Sequence, residues 1–216
     1  MSLFATLRRN PSAVLLAVQL LGVLLYPFLP NTEGGGALFN LFGLVVLAAA
    51  LRMVLRSPAT TWVGVALAVP VAGLLLGQAI SPHPLLPLAM SALEAAFYLY
   101  ATYGLIAYML ADDHATTDEL FAAGATFTLL AWAFAHLFTL GQALVPGSFG
   151  IDPASPRSWM DLLFLSFTTL SGVGLGDIVP LTPLGKALIM LAEFAGVMYL
   201  ALVVSRLISM KSRLTT

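Results

Sequence analysis

Three glycines stand at alternate positions in the last third of this 216-residue chain. Gly172, Gly174 and Gly176 alternate with Val173 and Leu175. Glycine adopts left-handed backbone conformations that other residues resist, so alternating glycines allow successive carbonyl oxygens to point to one side. Rings of such oxygens can replace the hydration shell of a cation. The pattern therefore predicts a cation selectivity filter, which is tolerated at membrane depth only where it is packed in protein or lines water.

The sequence Ser-Gly-Val-Gly-Leu-Gly-Asp at 171–177 resembles the potassium channel pore family, which has Thr-Thr-Val-Gly-Tyr-Gly-Asp there. The resemblance extends from a pore helix through the last apolar segment. It implies that potassium ions bind the backbone carbonyls of Gly172, Val173, Gly174 and Leu175. The filter residues would be Ser171, Gly172, Val173, Gly174, Leu175, Gly176 and Asp177.

Gly172 departs from the family pattern at the innermost ion site. The family has a threonine there, whose hydroxyl helps to form that site, whereas glycine offers only its carbonyl. We therefore expect relaxed selectivity. The main hypothesis is a potassium channel, and the alternative within channels is a non-selective potassium and sodium pore.

The resemblance also assigns residues of the last apolar segment. Gly196 stands where the family often has a hinge glycine, although glycine also permits close packing of membrane helices, and both interpretations stay open. By the same resemblance, Val197, Leu200 and Val204 line the cavity below the filter. Apolar side chains suit a cavity that closes by dewetting.

Two acidic residues fall inside apolar segments, where ionisable groups are costly and commonly functional. Glu193 is predicted to support the filter together with Thr168 and Thr169, or else to be a locally satisfied structural acid. Glu94 lies about 15 Å from the outer end of its segment, at a depth similar to that of His136. We expect these two to form an intramembrane pair. A second function class follows, a proton-coupled secondary transporter that uses Glu94, His136 and Glu193.

Residues 112–119 form the only dense polar patch of the chain, with four acidic residues and one histidine. These groups could bind a divalent cation. The stronger interpretation is a helix start, because Thr116 and Glu119 form a capping box and acidic residues favour a helix N-terminus.

The composition requires a membrane protein to position these residues. The chain is 60% hydrophobic and 9% charged, with a net charge of −1 and no cysteine. A membrane span needs about 20 mainly apolar residues. Six segments qualify, and turns are predicted between them at 30–36 and 81–84. The predicted spans are 12–29, 37–55, 60–80, 85–111, 117–145 and 183–209.

A shorter helix is predicted between the last two spans. Ser158 and Asp161 form a capping box, and a helix ending near Leu170 would enter a membrane without crossing it. Thr182 followed by Pro183 is typical of a helix start.

The basic residues predict that both termini are cytoplasmic, because short cytoplasmic segments carry the excess of Lys and Arg. Arg157 and Lys186 then lie outside, beside the filter. The residues on the inside would be Arg8, Arg9, Arg52, Arg56, Arg206, Lys211 and Arg213.

These observations predict an all-α membrane protein with six transmembrane helices and a re-entrant pore helix and filter between helices five and six. Residues 1–115 would form a four-helix peripheral domain, similar to a voltage sensor but without its arginines, and residues 116–216 the pore domain. One chain supplies one filter strand, so the resemblance implies a homotetramer. We expect no enzymatic activity, no cofactor besides the permeant potassium ions, membrane lipid as a partner, no nucleic acid, and a bacterial inner membrane location.

Overall fold

A computed structural model of the chain describes residues 10–28, 33–81, 86–111, 116–150, 152 and 154–213. Arg8, Arg9 and residues 112–115 of the polar patch lie outside these ranges. The described residues form seven α-helices with connecting turns. The helices are α1 (Pro11–Leu25, followed by a 3₁₀ turn Tyr26–Phe28), α2 (Glu33–Val54), α3 (Thr61–Ile80), α4 (Leu86–Met109), α5 (Thr117–Leu144), α6 (Trp159–Leu170) and α7 (Pro183–Arg213).

Five helical segments in the described residues are long and apolar enough to cross a membrane, namely α1 together with its 3₁₀ turn, α2, α3, α5 and α7. The chain is therefore an integral membrane protein, and its described part contains helices and connecting segments but no β-sheet. Helix α4 has sufficient length but is not among the five, because Glu94 and four tyrosines lower its mean hydropathy. The short helix α6 coincides with the predicted pore helix.

The turn predicted at 30–36 is wrong at its C-terminal end. Helix α2 begins at Glu33, so the three glycines at 34–36 are helical. A helix satisfies its own backbone hydrogen bonds, which apolar surroundings demand. This requirement outweighs the helix penalty of about 1 kcal/mol for each glycine. Residues 30–32 and most of the second predicted turn, at 82–84, lie outside the described ranges.

The chain divides into two compact units, Met1–Leu129 and Leu130–Thr216. In the first unit α2 packs against α1, α3 and α4. Small residues allow close approach of these helices: a Cβ on Gly64 would lie 2.8 Å from Cγ1 of Val54, and one on Gly104 would lie 3.2 Å from the Ser57 hydroxyl. The core of the first unit is therefore a packed helical cluster.

The second unit contains the C-terminal part of α5, the short α6 and the long α7. Helices α6 and α7 pack against each other. Phe138 of α5 is fully buried against Phe149, with ring centroids 5.2 Å apart. A Cβ on Gly141 would collide with the Leu188 side chain of α7, so α5 and α7 approach closely at this glycine.

Candidate functional site

Helix α6 begins at the predicted capping box. The Ser158 hydroxyl accepts a hydrogen bond from the Asp161 amide at 3.2 Å, and the Asp161 carboxylate accepts one from the Ser158 amide at 3.1 Å. These bonds satisfy two backbone donors that a helix start otherwise leaves unpaired. The helix has 12 residues, or about 18 Å at about 1.5 Å per residue, which is too short to span a bilayer.

Aromatic and polar contacts fix α6 against α5. The ring of Trp159 stands edge-on to Trp132, with centroids 5.3 Å apart, and lies 6.0 Å from the His136 ring. About one helical turn before the end of α6, the buried Ser166 hydroxyl donates to the Ala131 carbonyl at 2.8 Å. Both ends of the short helix therefore have a fixed position within the second unit.

One carbonyl oxygen organises the turn that leaves α6. The Thr168 carbonyl accepts from the amides of Val173 and Gly174, each at 3.1 Å, and from the Ser171 hydroxyl at 3.2 Å. The Gly172 amide donates to the Thr169 carbonyl at 3.0 Å. The backbone of the turn is thus hydrogen-bonded from its first residues.

The hydroxyl groups of Thr168 and Thr169 both donate to the Leu165 carbonyl, at 3.0 and 2.6 Å. They are buried in the helix and close its last turn. Their assignment as filter support stays a prediction.

The non-helical segment after this turn, residues 172–177, alternates in backbone handedness, and we call it the glycine strand. Gly172, Gly174 and Gly176 have φ angles of 71°, 63° and 145°, and the described residues contain no non-glycine residue with positive φ. An L-residue in the left-handed helical region costs about 1–2 kcal/mol, so these positions favour glycine. All residues from 171 to 177 are exposed in the single chain, Val173 at 57% and Leu175 at 65%.

The far end of the strand returns to the protein. A Cβ on Gly176 would lie 3.4 Å from the ring of Phe164 on α6, and Ile178 is buried. The Leu181 amide then donates to the Ser148 carbonyl at 2.9 Å, and the hydroxyls of Ser148 and Thr182 are 2.9 Å apart. These two contacts of Ser148, which we call the Ser148 clip, connect the end of the strand to the segment that follows α5.

Thr182 caps α7, as its position before Pro183 predicts. Its hydroxyl accepts from the Gly185 amide at 3.1 Å. A Cβ on Gly185 would lie 2.9 Å from the Ser148 carbonyl, so the helix start approaches the clip closely. The glycine strand therefore follows the end of α6 and leads into the capped start of α7.

The segment before α6 is held by a paired amide contact. The Gln142 side chain donates to the Arg157 carbonyl at 2.9 Å and accepts from the Arg157 amide at 3.1 Å. The Arg157 guanidinium donates to the Phe149 carbonyl at 3.0 Å. Arg157, predicted only as an external charge, thus also closes this loop.

Gly196 packs α7 onto the end of α6. A Cβ there would collide with the backbone of Leu170, the last residue of α6. Of the two interpretations left open by the sequence, close packing therefore has a direct structural basis. Val197, Leu200 and Val204 are exposed in the single chain, at 60%, 42% and 53%. Glu193 is exposed on the same helix.

The predicted pair of acid and imidazole is distributed over the two units. Glu94 is buried in the first unit, and His136 is buried in the second beside Trp159. Their pairing stays a prediction.

In the polar patch, the Thr116 hydroxyl accepts from the Glu119 amide at 3.2 Å, as the predicted cap requires. The described residues contain no group of three or more metal-ligating side chains.

Three further groups could not be assigned from the sequence, because their roles depend on contacts that only the folded chain forms. They are the Thr168 carbonyl, the Ser148 clip and the Gln142 amide. Gln142 could have been noticed as a polar residue near the end of an apolar helix. A backbone carbonyl, in contrast, leaves no trace in a sequence. Ser148 follows Pro146 and Gly147, which indicates only a turn.

Comparison with known proteins gives one match. A family model described as an ion channel matches residues 125–213. The match contains the second half of α5, helix α6, the glycine strand and α7. It confirms the predicted resemblance to the potassium channel pore family. Neither the curated proteins nor the solved structures contain a significant match.

Proposed function

Because residues 125–213 belong to an ion channel family, we propose that the chain conducts potassium passively through a filter formed by residues 171–177. The observation that carries this proposal is the alternating handedness of Gly172, Gly174 and Gly176. A backbone that alternates in this way can direct successive carbonyls to one side and so coordinate a dehydrated cation. The match also identifies the protein as a channel and not an enzyme.

The absence of a side chain at Gly172 supports a partial relaxation of the selectivity for potassium over sodium. Gly172 has no hydroxyl to contribute to the innermost ion site, so that site has fewer oxygen ligands. The carbonyls of Val173, Gly174 and Leu175 supply the outer rings. Since preference between ions depends on the number and field strength of the coordinating dipoles, potassium remains preferred over sodium but less strictly.

A homotetramer completes the pathway. One chain contributes one strand, and a closed ring of carbonyls needs several copies. The exposure of residues 171–177 supports this assembly, as does the exposed apolar surface of α7, of which only 17% of the span Pro183–Arg206 is buried. Helix α4 would serve as a sixth span within the peripheral domain.

The chain would lie in a bacterial inner membrane with both termini in the cytoplasm. The distribution of Lys and Arg supports this orientation, because Arg52 lies in the last turn of α2 and Arg56 follows that helix, while Arg157 and Lys186 flank the filter. The filter would then open to the outside, and the end of α7 to the cytoplasm.

Purified protein in planar bilayers tests the proposal. Under opposed potassium and sodium gradients, we expect single-channel steps and a reversal potential displaced towards the potassium equilibrium value, but short of it. A reversal potential midway between the equilibrium potentials of potassium and sodium would indicate the non-selective alternative. Saturable, proton-coupled flux without channel steps would contradict the proposal and favour a transporter.

A further inference from the structure

The turn after α6 has the hydrogen-bond pattern of a helix C-terminal cap. The Val173 amide donates to the Thr168 carbonyl at 3.1 Å, and the Gly172 amide donates to the Thr169 carbonyl at 3.0 Å. Gly172 is left-handed, with a φ of 71°. Together these features form a Schellman motif, in which a left-handed glycine ends the helix. Ser171, with φ −77° and ψ −10°, is therefore the C-cap of α6, and Gly172 is the residue that ends the helix.

Three consecutive amides of this turn point towards the end of α6. The amides of Gly172, Val173 and Gly174 all donate to carbonyls of the last turn of that helix, at 3.0 or 3.1 Å. The described residues contain no cis peptide bond. Because a trans peptide group is planar, the carbonyl oxygen that precedes each amide points the opposite way. The carbonyls of Ser171, Gly172 and Val173 are therefore directed away from the end of α6, all to one side.

The carbonyls of residues 171–173 accept no hydrogen bond from any residue that the structure describes. The preceding carbonyl, that of Leu170, is different, because a Cβ on Gly196 of α7 would collide with it. The covered Leu170 oxygen sets the inner limit of the row, and Ser171 is its first member. A dehydrated cation is a ligand that several neighbouring carbonyls can bind at once.

We propose that the Ser171 carbonyl binds a permeant cation and that its four copies form one further ring of oxygens at the inner end of the filter. The inference rests on the proposed function, in which the resemblance assigns ion binding only from Gly172 onwards. A cation between the rings of Ser171 and Gly172 is coordinated by carbonyls on both sides. This ring offsets part of the coordination that the innermost site loses without a hydroxyl at position 172. The partial negative charge at the C-terminus of α6 adds to the attraction of a cation there.

Anomalous scattering from rubidium ions in crystals of the full-length protein tests the site directly. We expect ion density level with the Ser171 and Gly172 carbonyls, in addition to density at the outer rings. Density that begins only between the Gly172 and Val173 rings would overturn the inference.

Amide-to-ester substitution tests the same oxygen in working channels. An ester in place of the peptide bond between Ser171 and Gly172 weakens the Ser171 carbonyl as a ligand and removes the Gly172 amide. We expect barium block from the cytoplasmic side to weaken by about tenfold, which equals about 1.4 kcal/mol over the four chains.

An ester between Leu170 and Ser171 is the matched control. It removes the Ser171 amide, which donates to the Phe167 carbonyl at 3.1 Å, but it weakens a carbonyl that α7 covers. The control therefore disturbs the same helix end without touching the proposed ligand, and its barium block should stay close to that of the wild type.

The S171A variant separates the carbonyl from the hydroxyl of the same residue. The Ser171 hydroxyl donates to the Thr168 carbonyl at 3.2 Å, and alanine removes it while keeping the backbone oxygen. Barium block should persist in S171A to within about twofold. A loss as large as that of the ester channel would make the hydroxyl the ligand and overturn the assignment to the carbonyl.

The outcomes separate this inference from the proposed function. Absence of any cation current from the wild-type protein overturns both. Normal wild-type current with equal weakening of the block in the two ester channels, or with no weakening in either, overturns the inference alone. If the ester channel does not assemble, the ion density decides: density level with the Ser171 carbonyl supports the ring, and its absence overturns it.

Discussion

Glycine serves two different physical purposes at the residue scale in the second unit. Gly174 and Gly176 are required for their backbone angles, since a Cβ on Gly174 would meet no atom within 4 Å of its own chain. Gly196 has no unusual φ and is required for space. Gly172 belongs to the first group, with a φ of 71°. A β-branched residue is strongly disfavoured at such an angle. The backbone angle at position 172 is therefore one that a threonine would strongly disfavour.

Replacing Gly174 or Gly176 with alanine should abolish current while the tetramer persists. The expected strain is about 1–2 kcal/mol in each chain for the left-handed position of Gly174, and the change falls on every strand of the ring. Single-channel recording and size-exclusion chromatography measure the two effects. Gly73→Ala is the matched control, because a Cβ there meets nothing within 4 Å and φ is not positive. Undiminished current in both filter variants would place the ion pathway elsewhere.

Helix ends are stabilised by partners at very different sequence distances. Helix α6 is capped by its own neighbour Ser158. Helix α1 has no side-chain cap from Asn10, and its Ser12 amide donates instead to the Asp118 carboxylate at 2.9 Å. The same carboxylate accepts from the Ser12 hydroxyl at 2.9 Å and from the Tyr108 hydroxyl at 3.1 Å. Asp118, in the first turn of α5, thus caps a helix 106 positions away.

Asp118→Ala should lower the thermal stability of the protein in detergent. Its removal leaves the buried Ser12 amide and hydroxyl without their acceptor, which costs about 1–3 kcal/mol for each unpaired group. Tyr108→Phe removes only the longest of the three bonds and should have a smaller effect. The double variant with Ser12→Ala and Asp118→Ala should lose less stability than the sum of the single losses, because both substitutions remove the same bond between the Ser12 hydroxyl and the Asp118 carboxylate. Equal melting temperatures for D118A and wild type would contradict this assignment.

Gly196→Ala should destabilise the packing of α7 on α6. The added methyl collides with the Leu170 backbone, and overpacking of this kind typically costs about 1–3 kcal/mol. We expect a lower melting temperature and a lower yield of tetramer. Gly77→Ala on α3 is the control, since its Cβ meets nothing within 4 Å. A G196A protein with normal stability but altered open probability would instead favour the hinge.

The whole molecule combines a helical unit rich in apolar surface with a unit that contains the proposed filter. Residues 81–111, which include all of α4, contain no Arg or Lys. Voltage sensing by a helix requires several charges in each subunit, because one charge crossing the field contributes about 2.3 kcal/mol per 100 mV. The first unit therefore lacks the residues that such sensing needs in its fourth helix.

We accordingly expect weak voltage dependence of open probability. Recordings over a wide voltage range in solutions free of divalent cations measure it without interference from blocking ions. A neutral variant, Glu94→Gln, controls for the one ionisable group on α4 other than its tyrosines. A steep conductance–voltage relation that survives in E94Q would require moving charges elsewhere in the chain.

The sequence by itself determined the features that depend on neighbours a few positions apart. These include the apolar spans, the Ser158 and Thr182 caps, the length of α6 and the alternating glycines, since propensity, capping and backbone angle are local properties. Tertiary structure decided the Asp118 cap on α1, the Ser166 bond to Ala131 and the packing of Gly196. Hydrophobic patterns specify that a face is covered, but not by which group. The Asp118 cap is the clearest case, because its carboxylate lies 106 positions from the Ser12 amide and only the folded chain brings the two together.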